Sequence, residues 1–140
     1  IAWGAVPVNP ARMRHRWSHA FVSASGPGAN LILAGIGALA LVLTRRFVPG
    51  NQALLLLFRC LLEGNCLLAL LNLMPIPMFD GWDIYTLVVP ALKRISQETR
   101  NTLTWVLVLL LFFSPANILF LGASRTLAGA LQTMFSACLL

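Results

Sequence analysis

The sequence is short of charge. Of its 140 residues only 10% are Asp, Glu, Lys or Arg, with 10 basic residues against four acidic ones. A soluble domain carries roughly 25% charged residues. A chain this poor in charge cannot cover its own surface with polar groups, which excludes an ordinary soluble domain and points to a membrane protein. Cysteine is also scarce. The three present, Cys60, Cys66 and Cys138, all lie within apolar runs. An odd number at such spacing gives neither a disulfide framework nor a close metal-binding pair, so they are expected to be small buried hydrophobes. No H-E-x-x-H motif is present, and no signal peptide is visible at the start. The first residue is Ile1, not Met. The chain is therefore expected to be a fragment, a processed product or an incompletely read gene.

What is there is apolar: 59% of the residues are hydrophobic. The positive charge sits in short clusters at Arg12, Arg14 and Arg16, at Arg45 and Arg46, and at Lys93, Arg94 and Arg100. Clusters between apolar runs suit anchors at a lipid interface and not a nucleic-acid face. The partner they imply is the lipid bilayer.

From Ala20 to Leu43 no residue is charged, which is enough for a spanning helix. "GPGAN" (26–30) interrupts the start, so the helix proper is expected to begin near Pro27, a good first-turn residue. Its many small residues suit close packing inside a bundle. A polar turn over 44–51 precedes a second apolar run from Ala53 to Leu73. Arg59 and Glu63 within it are four apart, on one helical face, and are expected to pair as a structural salt bridge. A third run, Leu103 to Leu121, is broken at Ser114-Pro115, and a fourth from Ile118 to Leu140 carries Arg125. Residues 1–10, "IAWGAVPVNP", suit a short β segment at the membrane surface. The expected fold is an all-α polytopic membrane protein of three to four transmembrane helices. It forms a single membrane-embedded domain over 1–140. The N-terminal arm and the 93–100 connection, two spans apart, share one face, which the positive-inside rule places in the cytoplasm. Arg45 and Arg46 sit opposite.

Between the second and third runs lies "NLMPIPMFDGW" (72–82). Pro75 and Pro77 each lack a donor and break a helix. Behind them stands a carboxylate, Asp80, near the start of the next helical stretch, where helix N-terminal amides favour an anion. A broken helix in lipid survives only where protein covers it or it lines a polar cavity. An intramembrane carboxylate is a functional-site candidate as ion ligand, proton relay or metal ligand. The plainer alternative is a capping aspartate with no chemistry.

These residues carry a resemblance. Asn72-Leu-Met-Pro-Ile-Pro-Met-Phe-Asp80-Gly81 resembles the N-x-x-P-x-P-x-x-D-G motif of the site-2 protease family of intramembrane zinc metalloproteases. "AWGAVPVNPARMRHRWSHAFVSASGPGANLILA" (2–34) resembles the W-x-x-P-V-P-V-N-P, arginine-rich linker and A-G-P-x-A-N stretch that precedes it in prokaryotic members. The resemblance covers roughly residues 1 to 92, a partial core, and leaves 102–140 as additional hydrophobic helices. It implies a zinc endopeptidase of multi-pass cell-membrane topology in a prokaryote, cutting a helix of a membrane-protein substrate. It makes Asp80 the third zinc ligand and puts Asn72 beside the site, positioning substrate or water. The strand-like segment 3–9, including Val6 and Val8, would pair with the unwound substrate. Phe79 and Trp82 depart from the commoner leucine and glycine or serine at these places, and Trp82 adds bulk next to Asp80.

A catalytic zinc takes about three protein ligands. The family draws two from its H-E-x-x-H helix, which it places upstream. His15 and His19 have the i, i+4 spacing, but Arg16 stands where the glutamate should be. Arginine cannot act as a base there and repels a dication. The pair therefore reads as interfacial polar residues. The alternative to an enzyme is a catalytically inactive homologue acting as a membrane scaffold or binding protein.

Overall fold

The computed structural model describes residues 16–139, with side chains from residue 21 onward. Five α-helices account for most of them: α1 (Arg16–Phe47), α2 (Gln52–Asn72), α3 (Asp80–Val88), α4 (Gln97–Phe113) and α5 (Ala116–Cys138). A 3₁₀ turn, Pro90–Arg94, joins α3 to α4. There is no strand among the described residues. The expected β segment, with Val6 and Val8, lies outside them, as does His15.

α1 and α2 form an antiparallel hairpin closed by the turn at 48–51. Asn51 caps α2, its side chain accepting from the Leu54 N–H at 3.1 Å. Small residues set the spacing of the two helices. A methyl group at Gly37 would lie 2.8 Å from the Leu62 backbone nitrogen. Ala34, Ala38 and Leu41 of α1 bury against Leu62 and Cys66 of α2, and Ala128 of α5 completes this core. In lipid, where apolar side chains gain nothing by leaving the solvent, such close backbone approach is what holds helices together.

Three stretches are long and apolar enough to cross a membrane: Phe21–Phe47, Gln52–Asn72 and Ala116–Cys138. Their outward faces carry exposed apolar side chains, among them Phe21, Ile32, Ile36, Leu56, Ile118 and Leu119. A water-soluble surface does not sustain so continuous an apolar face. These features are those of a membrane protein.

Three sequence expectations change. α1 does not begin near Pro27 but runs through it from Arg16. Proline is tolerated within a helix in a membrane protein because neighbouring groups satisfy the freed carbonyl. Here Pro27 is buried between two glycines, Gly26 and Gly28, which leave room for its ring. The segment at 72–80 does not interrupt one spanning helix. α2 ends at Asn72, and α3 is a separate helix of nine residues, too short to cross a bilayer. Of the cysteines, only Cys66 is buried; Cys60 and Cys138 are exposed. Cys60 lies beside exposed Arg59 on α2, and Cys138 ends α5.

Candidate functional site

The turn after α2 is built from short backbone bonds. The Leu73 N–H donates to Ala69 and Leu70 carbonyls, and Met74 N–H to Leu71 at 3.0 Å. Ile76 N–H donates to Met74 at 2.8 Å and Phe79 N–H to Ile76 at 2.9 Å. Pro75 and Pro77 fall between these donors and have no N–H to leave unsatisfied. Ile76, at 1% exposure, anchors the turn in the interior.

The turn delivers Asp80 as the first residue of α3. Phe79 occupies the N-cap position, and no side chain caps α3. Asp80 is thus not the capping residue. Gly81 explains how the turn closes onto the helix. A methyl group there would meet the Met74 carbonyl oxygen at 2.6 Å and the Leu73 carbonyl at 2.7 Å, so only glycine lets that backbone lie against α3.

On its other side Asp80 rests on α1. Its Oδ2 occupies the space that a methyl group on Gly26 would take. One turn along α3, Asp83 Oδ2 accepts a hydrogen bond from the Ser23 hydroxyl at 3.1 Å. Ser23 and Gly26 are three apart on α1, and Asp80 and Asp83 are three apart on α3, so one face of each helix supplies a pair. Burial, and after it the neighbouring Asp83 carboxylate, push Asp80 above its ordinary carboxylate value. Two carboxylates so placed repel one another and can face a cation.

Trp82 is 5% exposed, and the Arg100 guanidinium carbon lies 5.7 Å from its ring centre. This cation–π contact ties the first half of α4 to α3. The extra bulk at position 82 therefore has a seat. Beside it, a cavity of about 230 Å³ opens between Pro77 and Met78 of the turn and Gln97, Arg100 and Asn101 of α4.

Asn72 is the last residue of α2, half-buried, at the opposite end of the turn from Asp80. Arg59 and Glu63 do pair, Nε to Oε1 at 2.7 Å, on an exposed face of α2. Sequence reasoning missed Gly26, Ser23 and Asp83. For Asp83 the signal was its i, i+3 spacing from Asp80. For Ser23 and Gly26 there was none, because their role depends on how α1 crosses α3. Among the described residues no three His, Cys, Asp or Glu side chains come together to hold a metal ion. Two carboxylates are too few for a catalytic zinc, so zinc does not fit the described residues taken alone.

Comparison with known proteins gives one informative similarity. The chain is 32% identical over 116 residues, 79% of its length, to a Bacillus subtilis (strain 168) protein named "Putative zinc metalloprotease YwhC". The chain spans about half of that relative, 53% of its length. No family model and no solved structure matches.

Proposed function

We propose that this chain forms part of an intramembrane zinc metalloendopeptidase that cleaves transmembrane segments of membrane proteins. Asp80 is one of the zinc ligands, Asn72 lies beside the site, and the remaining ligands come from outside the described residues. The observation that carries this reading is the seating of Asp80. The sequence invests two prolines and Gly81 in the turn, and Gly26 in α1, to hold a carboxylate that caps nothing. The similarity to the Bacillus subtilis protein named "Putative zinc metalloprotease YwhC" supports the same reading. The ion would supply Lewis-acid activation of a scissile carbonyl and of water. The residues described here orient one ligand and shield it on the α1 side. Val6 and Val8 belong to the same proposal as the strand that holds the unwound substrate.

The test is Asp80→Asn in the protein expressed from its complete reading frame, with a membrane-tethered reporter substrate. The amide keeps the size and loses the charge. Cleavage should fall by at least about a hundredfold, the scale seen when metal-site partners are removed, while insertion is unchanged. Cleavage at the wild-type rate would remove Asp80 from the site. No cleavage by the unsubstituted protein, with no zinc bound, would favour a catalytically inactive membrane scaffold.

A further inference from the structure

A second polar cluster lies at the opposite end of the α1–α2 hairpin. Arg45 of α1, Arg59 and Glu63 of α2, and Arg125 and Gln132 of α5 line one cleft of about 290 Å³. Three guanidinium groups thus face one carboxylate, and that carboxylate is already bonded to Arg59. The other acids of the sequence, Asp80, Asp83 and Glu98, belong to α3 and α4, neither of which lines the cleft. Among the described residues Arg45 and Arg125 have no acidic partner.

The position of these charges sharpens the imbalance. Arg59 stands about 10 Å along α2 from Gln52, and Arg125 about 13 Å along α5 from Ala116, at 1.5 Å per residue. Both helices are long and apolar enough to span. Cations at such depth face a cavity and take a counter-charge. The cleft opens at the surface of the bundle, with arginine forks whose geometry matches two oxygens of a phosphate. An occupant must bring negative charge and reach the cleft from the bilayer.

We infer that this cleft binds the phosphodiester headgroup of an anionic membrane lipid. Arg45, Arg59 and Arg125 hold the phosphate oxygens, and Gln132 adds a polar contact. The acyl chains lie along the exposed apolar faces of α2 and α5. The inference stands apart from the protease reading, since it uses none of the residues around Asp80.

The test uses the whole chain, delipidated in a neutral detergent, with its melting temperature as the readout. Short-chain phosphatidylglycerol should raise the melting temperature saturably, whereas phosphatidylcholine and inorganic phosphate at equal concentration should not. Arg125→Gln should weaken the phosphatidylglycerol response about tenfold, the scale of one lost charge-assisted hydrogen bond. Arg94→Gln, outside the cleft, makes the same change in net charge and should leave the response intact. Should Arg125→Gln fail to fold, Arg45→Gln at the exposed end of α1 carries the same expectation. Equal stabilisation by phosphatidylcholine would overturn the inference. So would an equal response to inorganic phosphate, which would make the cleft a site for free anions, or an unchanged response in the arginine variants.

Discussion

At the scale of single residues, two glycines decide whether Asp80 keeps its place. A methyl group on Gly26 overlaps a carboxylate oxygen, the end of a side chain that can rotate. A methyl group on Gly81 meets backbone atoms of Leu73 and Met74, which cannot. Gly26→Ala is therefore expected to cost about 1 kcal/mol and Gly81→Ala about 3 kcal/mol, the lower and upper ends of the range for overpacking. Gly28→Ala and Gly64→Ala, with nothing within 4 Å of the added carbon, serve as controls. Thermal unfolding in detergent measures all four. Equal losses at Gly81 and Gly28 would mean that the turn does not press on α3. Asp80 itself was legible in the sequence, because two prolines ahead of an acid in an apolar chain are conspicuous. Its neighbours Ser23 and Gly26 were not. They stand more than fifty residues earlier, and nothing local to them distinguishes a glycine that admits a carboxylate from one that does not.

At the scale of elements, the lengths of α2 and α5 follow from long apolar runs, readable despite Arg59 and Glu63 in the one and Arg125 in the other. α1 was not readable in full, since local propensity argues against a helix through Gly26-Pro27-Gly28. Packing overrode it. The break between α4 and α5 was marked by Ser114-Pro115, and the Ser114 hydroxyl accepts from the Ala116 N–H at 3.1 Å. α4 begins with a clear signal, the Ser96 side chain accepting from Thr99 N–H at 3.2 Å. Ser96→Ala should cost about 1 kcal/mol. Trp82→Leu should have a different signature. It removes the ring beneath Arg100 and leaves α4 intact as a helix, so hydrogen exchange should quicken in the first half of α4 while α1 and α2 stay protected. Uniform quickening across all helices would show instead that Trp82 supports the core as a whole.

At the scale of the whole molecule, the shortage of charge was the most informative property, and it settled the class before any motif was read. Three helices able to span predict that the chain stays with the membrane after extraction with alkaline carbonate. Release into the supernatant would contradict that reading. The described residues also predict that the purified chain, taken alone, holds less than one equivalent of zinc, since no three His, Cys, Asp or Glu side chains come together among them. Stoichiometric zinc with submicromolar affinity would bring His15 and His19 back into consideration.

α1 links the two polar clusters. It touches Asp80 at Gly26 and offers Arg45 to the arginine cleft. At 1.5 Å per residue these points are about 28 Å apart, close to the ~30 Å of a bilayer's hydrocarbon. In a membrane, then, the carboxylates lie toward one face of the bilayer and the arginine cleft toward the other. In sealed vesicles of one orientation, acid or salt added outside would reach one cluster and leave the other untouched.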